Sequence, residues 1–373
     1  MKNKYVLRTI KILSFALAAF LIMTVTQVRC DHNKIRLDGF YMEEKNSLDV
    51  VLLGASEVYT AFSSALAYDE FGFTSYPYAI ESNFLDLFSS QIKEILNNQK
   101  PKLLIIETNG ALYPQEYKEN EANIRRYTDG MPLSQNKIDT INEFGDKDEK
   151  ISYYFPWIMY HGSLSNFRSF KDSLQQQVRG YSMLKGVTTC TLDEEAKDFI
   201  DVCNDKSKLE LNPDAESRLI ELLNFCRAIK YTKIVFTRFP HRITDGTYDR
   251  FKLGNTLKDI VESYGFDFLD FEPQGREIGI DYVGDYYNND HMNIYGQQKF
   301  TKFLGKTLVE KYNLFPSELS PKNKEKWELS VQYTNLYIDY VEFLKDTNKN
   351  NEIWLTETYD LMRELDKLKA SKH

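Results

Sequence analysis

The sequence predicts an α/β fold, in which helices doubly wind a mainly parallel five-stranded sheet and a C-terminal helical extension follows. The first observation is the segment Asp49 to Tyr59, where the apolar run Val50 to Leu53 ends at a glycine. Such a run is typical of a parallel strand that is buried on both faces. The second observation is that strand-like and helix-like segments alternate along the chain, which favours a parallel sheet with right-handed crossovers.

Residues that interrupt or end helices define the predicted elements in the first half of the sheet domain. A short helix is expected from Ser56 to Tyr68, because Gly72 then interrupts the pattern. Apolar residues recur at helical spacing from residue 84 to residue 96, and Pro101 ends that helix. The five predicted strands of the whole domain are 50–53, 74–80, 102–107, 233–237 and 266–271.

The second half contains clearer helix signals. Asn212-Pro213 marks a helix start with proline in the first turn, and Gly265 marks the end of the next helix. A last helix of the sheet domain carries Phe300 and Leu304. The predicted organisation is an N-terminal anchor or signal-like segment at 1–30, a connector at 31–46, an α/β domain at 47–312 with an irregular, partly helical insertion at about 110–185, and a C-terminal helical hairpin at 313–373.

Residues 1–30 resemble a membrane anchor. Several basic residues precede an apolar stretch, and Tyr5 to Val28 reaches the ~20 residues that a span requires if Lys11 snorkels. A basic flank stays cytoplasmic, so we expect a single-pass protein of the cell membrane with its main domain outside the cytoplasm. A cleaved signal peptide is the alternative, although no A-x-A-like cleavage site is present.

Composition narrows the function classes. Apolar residues make up 42% and aromatic residues 14% of the 373-residue chain, which favours a packed globule. The formal net charge of -8 argues against nucleic acid as a partner. The four cysteines and five histidines show no metal-ligand spacing, so neither a metal nor a cofactor is expected. Pairing of Cys190 with Cys203 stays open.

Ser56 and His291 are the candidate catalytic residues. Ser56 follows the first strand, and ligands bind at the carboxyl ends of strands in open α/β sheets. His291 lies in a polar loop before the last helix of the sheet domain, which also places it near that edge. The alternative is that the serine only caps a helix and the histidine is a surface residue. A serine becomes a nucleophile only if a base removes its proton.

Three ordered blocks resemble the SGNH, or GDSL-like, hydrolases over roughly residues 47–312. Gly54 and Ser56 match the Gly-Asp-Ser block of that family, and Ala55 departs from it. Asn109 falls on the asparagine of the Gly-x-Asn-Asp block, and His291 falls on the histidine of the last block. The resemblance implies an SGNH-hydrolase-like, flavodoxin-like three-layer fold.

The resemblance also implies the roles of further residues. In the family, the asparagine side chain and a glycine backbone N–H donate to the oxyanion, and these positions correspond to Asn109 and Ser82 here. The last block is usually Asp-x-x-His, but this chain has Asn288 at the acidic position. Three possibilities follow: Asn288 orients a serine–histidine pair, Asp285 or Asp290 replaces the acid, or catalysis is weakened.

The arrangement of an anchor followed by such a domain is similar to that of the extracytoplasmic proteins that take part in D-alanylation and O-acylation of cell-wall polymers. The resemblance therefore implies a serine esterase or O-acyltransferase that acts on a cell-surface glycan or teichoic-acid-type polymer. It would form an acyl-Ser56 intermediate with His291 as base. The alternative is a non-catalytic scaffold or binding subunit with this fold. In either case a membrane-bound O-acyltransferase is an expected partner.

Overall fold

The molecule is built around a five-stranded parallel sheet. The structure, a computed structural model, describes residues 2–26, 32–113, 120–160, 167–190, 198–347 and 354–372. The strands are β1 (Val50–Gly54), β2 (Ser75–Ala79), β3 (Leu103–Glu107), β4 (Thr189–Cys190), β5 (Lys233–Arg238), β6 (Asp267–Asp270) and β7 (Trp354–Leu355). The large sheet has the order β2-β1-β3-β5-β6, and β4 pairs with β7 in a separate antiparallel ladder.

The strand order confirms the predicted doubly wound fold. The chain runs from β1 outward to β2, returns to β3 on the other side of β1, and then continues outward through β5 and β6. Connections therefore leave β1 and β3 in opposite directions. This reversal opens a crevice at the carboxyl ends of the two strands, which is where ligands bind in such sheets.

Alternation along β1 explains the three layers. Val51 and Leu53 point into one apolar cluster, whereas Val50 and Leu52 point into a second cluster on the opposite face. Because both faces are covered by helices, the strand has no polar side, as its sequence indicates. At the edge of the sheet, β2 tolerates Pro77 because only one of its sides pairs with a neighbouring strand.

Helices make up most of the remaining described chain. The bounds are α1 (Lys2–Thr26), α2 (His32–Tyr41), α3 (Ser56–Ala61), α4 (Ser64–Phe71), α5 (Phe88–Asn98), α6 (Glu121–Thr128), α7 (Gln135–Phe144), α8 (Lys150–Tyr154), α9 (Trp157–Tyr160), α10 (Phe167–Arg179), α11 (Pro213–Ala228), α12 (Tyr248–Ser263), α13 (Gly275–Ile278), α14 (Ile294–Tyr312), α15 (Pro321–Asp346) and α16 (Tyr359–Ser371). Short 3-10 turns cover 85–87, 109–112 and 272–274.

The N-terminal helix α1 covers most of the predicted anchor. Among the residues that the structure describes, no helix is both long enough and apolar enough to cross a bilayer. The connector forms α2, whose fully buried Arg36 donates to the carbonyl of Gly186 at 2.7 Å and to the hydroxyl of Thr188 at 2.9 Å. The connector is therefore an integral part of the packed domain.

Two regions differ in detail from the sequence prediction. The expected single helix after Ser56 is divided into α3 and α4, because Phe62 between them is extended. The insertion at about 110–185 contains the regular helices α6 to α10 over its described residues. The ladder between β4, which follows the insertion, and β7 of the C-terminal extension was not predicted. Cys190 and Cys203 are free thiols in the structure.

Candidate active site

Ser56 lies at the first position of α3, directly after β1. Its side chain is almost buried, with 8% of the residue exposed. Helix α3 is held against α14, because the side chain of Gln297 donates to the carbonyl of Thr60 at 2.8 Å and the hydroxyl of Thr301 accepts from the backbone of Ser63 at 2.9 Å. These contacts fix the serine relative to the helix that follows the histidine loop.

His291 lies in a tight loop between α13 and α14. The loop is closed by a bridge between Tyr286 and Met292 and by the hydrogen bond from Tyr287 N to His291 O at 2.9 Å. It is also tied to the end of β5, because Arg242 N donates to Asn289 O at 2.9 Å. At the start of α14 a glycine is needed, since a Cβ at Gly296 would lie 2.4 Å from a backbone carbonyl of the same loop.

The structure brings Ser56 and His291 into direct contact. The Ser56 Oγ and His291 Nε2 atoms are 2.8 Å apart, although 235 residues separate them in the chain. On the other side of the ring, Nδ1 lies 2.9 Å from the Oδ1 atom of Asn288. Serine, imidazole and amide therefore form a continuous chain of hydrogen bonds.

Asn288 fixes the tautomer of the histidine. Its Oδ1 atom also accepts hydrogen bonds from the backbone N–H groups of Asp290 and His291, each at 3.0 Å. Because this atom faces two donors, it is the carbonyl oxygen and only accepts. The ring must then carry its proton on Nδ1, which leaves the lone pair of Nε2 for the Ser56 hydroxyl. The amide thus supplies the orientation that a triad acid normally supplies.

The two acids considered from the sequence bind other partners. Asp290 forms an ion pair with Arg250. Asp285 is buried and pairs with Lys299 at 2.8 Å. The group that the structure places on the Nδ1 atom of His291 is Asn288, the residue at the usual acidic position of the resembling family.

Ser56 opens into a pocket of about 520 Å³. This volume lies within the range of small-molecule sites. The lining combines aromatic, acidic and basic groups with the two candidate catalytic side chains. The other lining residues are His32, Tyr59, Glu81, Ser82, Leu112, Tyr113, Thr188, Arg250 and Asp290.

The two candidate oxyanion residues occupy different places. Ser82 lines the pocket with Ser56 and has a left-handed backbone with φ of 53°, a conformation that non-glycine residues seldom adopt. Its turn is fixed because the side chain of Asn83 donates to the carbonyl of Gly54 at 2.8 Å. Asn109 is buried and lines a small neighbouring cavity rather than this pocket.

Burial keeps the catalytic histidine neutral. Burial lowers the pKa of His291 below its ordinary value, while the acids Glu57 and Asp290 act in the opposite direction. Burial would raise the pKa of Asp290, but Arg250 outweighs it and holds that pKa below the usual value. The result is a deprotonated imidazole next to an ionised Asp290–Arg250 pair, as a general base requires.

Several pocket residues were not predicted from the sequence. Arg250 lies on α12, and Thr188 lies just before β4, far from any recognised block. His32 and Glu81 face each other at 3.4 Å on the pocket wall. None of these four residues lies in one of the three blocks recognised from the sequence.

Comparisons with known proteins give only a distant structural similarity. No family model and no curated protein matches the sequence. Among solved structures, the chain is similar to an active-site mutant of a family two carbohydrate esterase from Clostridium thermocellum, with 10% sequence identity and a TM-score of 0.31. The match covers 73% of this chain and 66% of that structure, slightly less than two thirds of its length. The function proposed below therefore rests on the geometry of the site.

Proposed function

We propose that the protein is a serine esterase or O-acyltransferase in which Ser56 carries the acyl group. The observation that supports this most strongly is the 2.8 Å contact between Ser56 Oγ and His291 Nε2, with Asn288 on the far side of the ring. A nucleophile, a base and an orienting group in hydrogen-bonding contact are the parts that acyl transfer requires.

The reaction follows from the proton positions. The Ser56 oxygen attacks the carbonyl carbon of an ester while its proton moves to Nε2 of His291. The tetrahedral intermediate collapses, and the imidazolium returns that proton to the departing alkoxide, which leaves an acyl-Ser56 ester. A water molecule or a sugar hydroxyl then attacks this ester with His291 again as base, so the serine is regenerated.

The oxyanion is assigned to donors next to the serine. We favour the backbone N–H of Ser82, because this residue lines the same pocket as Ser56. The resemblance to SGNH hydrolases implies Asn109 as a second donor, but Asn109 lines a neighbouring cavity rather than the pocket of Ser56, so we do not assign it here. Fixed donors at this point contribute when negative charge develops on the carbonyl oxygen.

The substrate class is proposed from the walls of the pocket. Tyr59 and Tyr113 provide aromatic surface, while Glu81 and His32 provide hydrogen-bonding groups beside Ser56. Such a combination suits a polyhydroxylated ligand, and an acylated cell-surface glycan or teichoic-acid-type polymer fits it. The anchor at 1–30 and the membrane-bound O-acyltransferase partner stay predictions of the sequence.

Hydrolysis of an aryl acetate by purified full-length protein tests the proposal. We expect slow release of nitrophenol from p-nitrophenyl acetate, and a loss of ~10³-fold or more in Ser56→Ala, because removal of a catalytic serine leaves only the residual contribution of the site. A matched control is Ser330→Ala, which removes a buried hydroxyl that donates to the carbonyl of Lys326 in its own helix, α15.

Equal rates in the wild type and Ser56→Ala would contradict the proposal, and rates equal to the uncatalysed background in both would favour the non-catalytic scaffold. Acetate release from an acetylated polysaccharide then separates hydrolysis from transfer. If a glycan acceptor gains the acetyl group at the expense of free acetate, transfer dominates.

A further inference from the structure

Glu57 is a buried acid without a hydrogen-bond donor. It follows Ser56 in α3, and only 2% of it is exposed. Neither carboxylate oxygen has a hydrogen-bond partner within the residues that the structure describes. An ionised carboxylate in such surroundings is costly unless a neighbour compensates it.

The neighbour is a second buried acid, Glu107, at the end of β3. Its two oxygens each lie 3.0 Å from the backbone N–H of Asn109, and its carboxyl group faces that of Glu57. Gly54 makes room for it, because a Cβ there would lie 2.8 Å from the Cβ of Glu107. The same Cβ would lie 2.5 Å from the Cγ2 atom of Val58, so the packing of both side chains requires a glycine at position 54.

Two facing carboxylates can form a hydrogen bond only if one of them carries a proton. Two adjacent carboxyl groups in a buried site do not both ionise, because the two negative charges would repel each other, so such a pair shares one proton. Burial and the charge of Glu57 raise the pKa of Glu107 well above its usual value, which agrees with Glu107 as the main holder of that proton. The pair then carries one negative charge at neutral pH.

Glu57 directly follows Ser56, whose hydroxyl lies 2.8 Å from the catalytic imidazole, so this charge acts on the ring. Four charged or titratable groups act on His291: the acids Glu57 and Asp290 favour its protonated form, while His241 and Arg250 disfavour it. Asn288 orients the ring but is neutral, so it contributes no compensating charge. The pair itself also faces Tyr59, Tyr113 and Glu272.

We propose that Glu57 and Glu107 hold one shared proton and one negative charge, and that this charge stabilises the imidazolium of His291 in place of a triad acid, whose position on Nδ1 is occupied by Asn288. Orientation and charge, which one aspartate supplies in other serine enzymes, are divided here between Asn288 and the glutamate pair. Glu57 and Glu107 are positioning residues. The catalytic consequence of this inference rests on the proposed function, whereas the shared proton of the pair does not depend on it.

The first test measures protonation in the wild-type full-length protein. Glutamate carboxyl carbons are labelled with ¹³C, and their chemical shifts are followed from pH 4 to 9, with Glu57→Gln and Glu107→Gln used for assignment. We expect one carboxyl group of the pair to remain protonated at pH 7. Ionisation of both groups below pH 6 would overturn the inference, and this result would not depend on any catalytic activity.

The second test follows His291 directly. Histidines are labelled with ¹³C at Cε1, and the His291 signal is assigned with His291→Gln. Glu107→Gln mimics the protonated acid, so His291 should titrate as in the wild type. In Glu57→Gln/Glu107→Gln the charge is lost, and the titration midpoint should move down by about one pH unit or more, because the Coulomb attraction at an effective dielectric constant of about 20 is still about 1.4 kcal/mol at about 12 Å.

The same shift should occur in the acid limb of kcat/KM for the aryl acetate, because that limb follows the free enzyme. An unshifted midpoint in the folded double variant would overturn the inference. If the double variant does not fold, the carboxyl titration of the wild type still decides. If only the proposed function is wrong, the titration midpoint of His291 would still move down in the double variant, but the wild type would show no ester hydrolysis.

Discussion

Two histidines, the buried His241 and the half-buried His291, have Nδ1 partners that differ in charge. The Nδ1 atom of His241 lies 2.8 Å from the carboxylate of Glu272, whereas the Nδ1 atom of His291 lies 2.9 Å from the amide oxygen of Asn288. Burial lowers the pKa of both, but Glu272 outweighs burial at His241 and raises its pKa, while the pKa of His291 stays lowered.

The comparison shows why an amide suits the catalytic position. A carboxylate partner favours the cation, so His241 serves as one half of a buried ion pair. The amide fixes the same tautomer without adding charge, so His291 stays neutral and its Nε2 accepts the Ser56 proton. Within the residues that the structure describes, Nε2 of His241 has no hydrogen-bond partner, so it has no nucleophile to activate.

The largest expected effect comes from exchanging the two histidines for glutamine. His291→Gln should lower kcat/KM for p-nitrophenyl acetate by ~10²–10⁴-fold, the usual contribution of a general base. His241→Gln should change it by less than about tenfold, because this ring does not contact Ser56. Similar losses in both variants would indicate that His241 also belongs to the reacting site.

A smaller effect is expected from Asn288→Leu. This change removes the oxygen that holds the ring and leaves two backbone N–H groups without their acceptor, so kcat should fall by about 10–100-fold. The neighbouring Asn289→Ala is the control, since the structure uses the backbone carbonyl of Asn289 in the contact with Arg242. A leucine variant with the rate of the control would show that the amide does not orient the base.

The pH dependence of kcat/KM reports the charge state of His291. Because His291 must be neutral, kcat/KM should rise with pH through a midpoint below the ordinary histidine pKa of 6.5. Asn288→Asp places a carboxylate on the ring, as at His241, and should move that midpoint upward. A midpoint that is insensitive to this substitution would mean that another group controls the acid limb.

The smallest effect concerns stability. The pKa of His241 is raised, so its contribution to stability is fully present below about pH 6.5 and disappears as pH rises through its folded value. The pKa of His291 is lowered, so protonation below pH 6.5 favours the unfolded chain. Urea unfolding should therefore show that His241→Gln is most destabilising at acidic pH, whereas His291→Gln becomes relatively less destabilising there. The same pH dependence in both variants would contradict this difference.

The sequence allowed much of the fold to be predicted because its signals are local. The uniform apolar runs of β1 and β3 reflect burial on both faces, and Asn212 caps α11 as expected, with its side chain 2.9 Å from the backbone N–H of Asp214. The ladder of β4 and β7 could not be predicted, since two-residue strands show no periodicity. Ser134 caps α7 with a bond of 3.1 Å, so part of the insertion had a signal that its mixed composition obscured.

The reversal of strand order explains why Ser56 and His291 could be predicted to lie together although 235 residues separate them. Ser56 and His291 both follow elements that end at the same edge of the sheet. The choice of Asn288 over Asp285 and Asp290 required the loop geometry, because three residues in one loop offer similar spacing. Glu57 and Arg250 could not be assigned, since their burial and charge partners depend on β3 and on the histidine loop.

The most direct test of the central claim is to locate the covalent adduct of a fluorophosphonate probe. Purified full-length protein is incubated with the probe at neutral pH, digested, and its peptides are analysed by mass spectrometry. Our account predicts a single adduct on Ser56, which is lost in Ser56→Ala and forms much more slowly in His291→Gln. An adduct on another residue, or equal labelling of the wild type and Ser56→Ala, would contradict it.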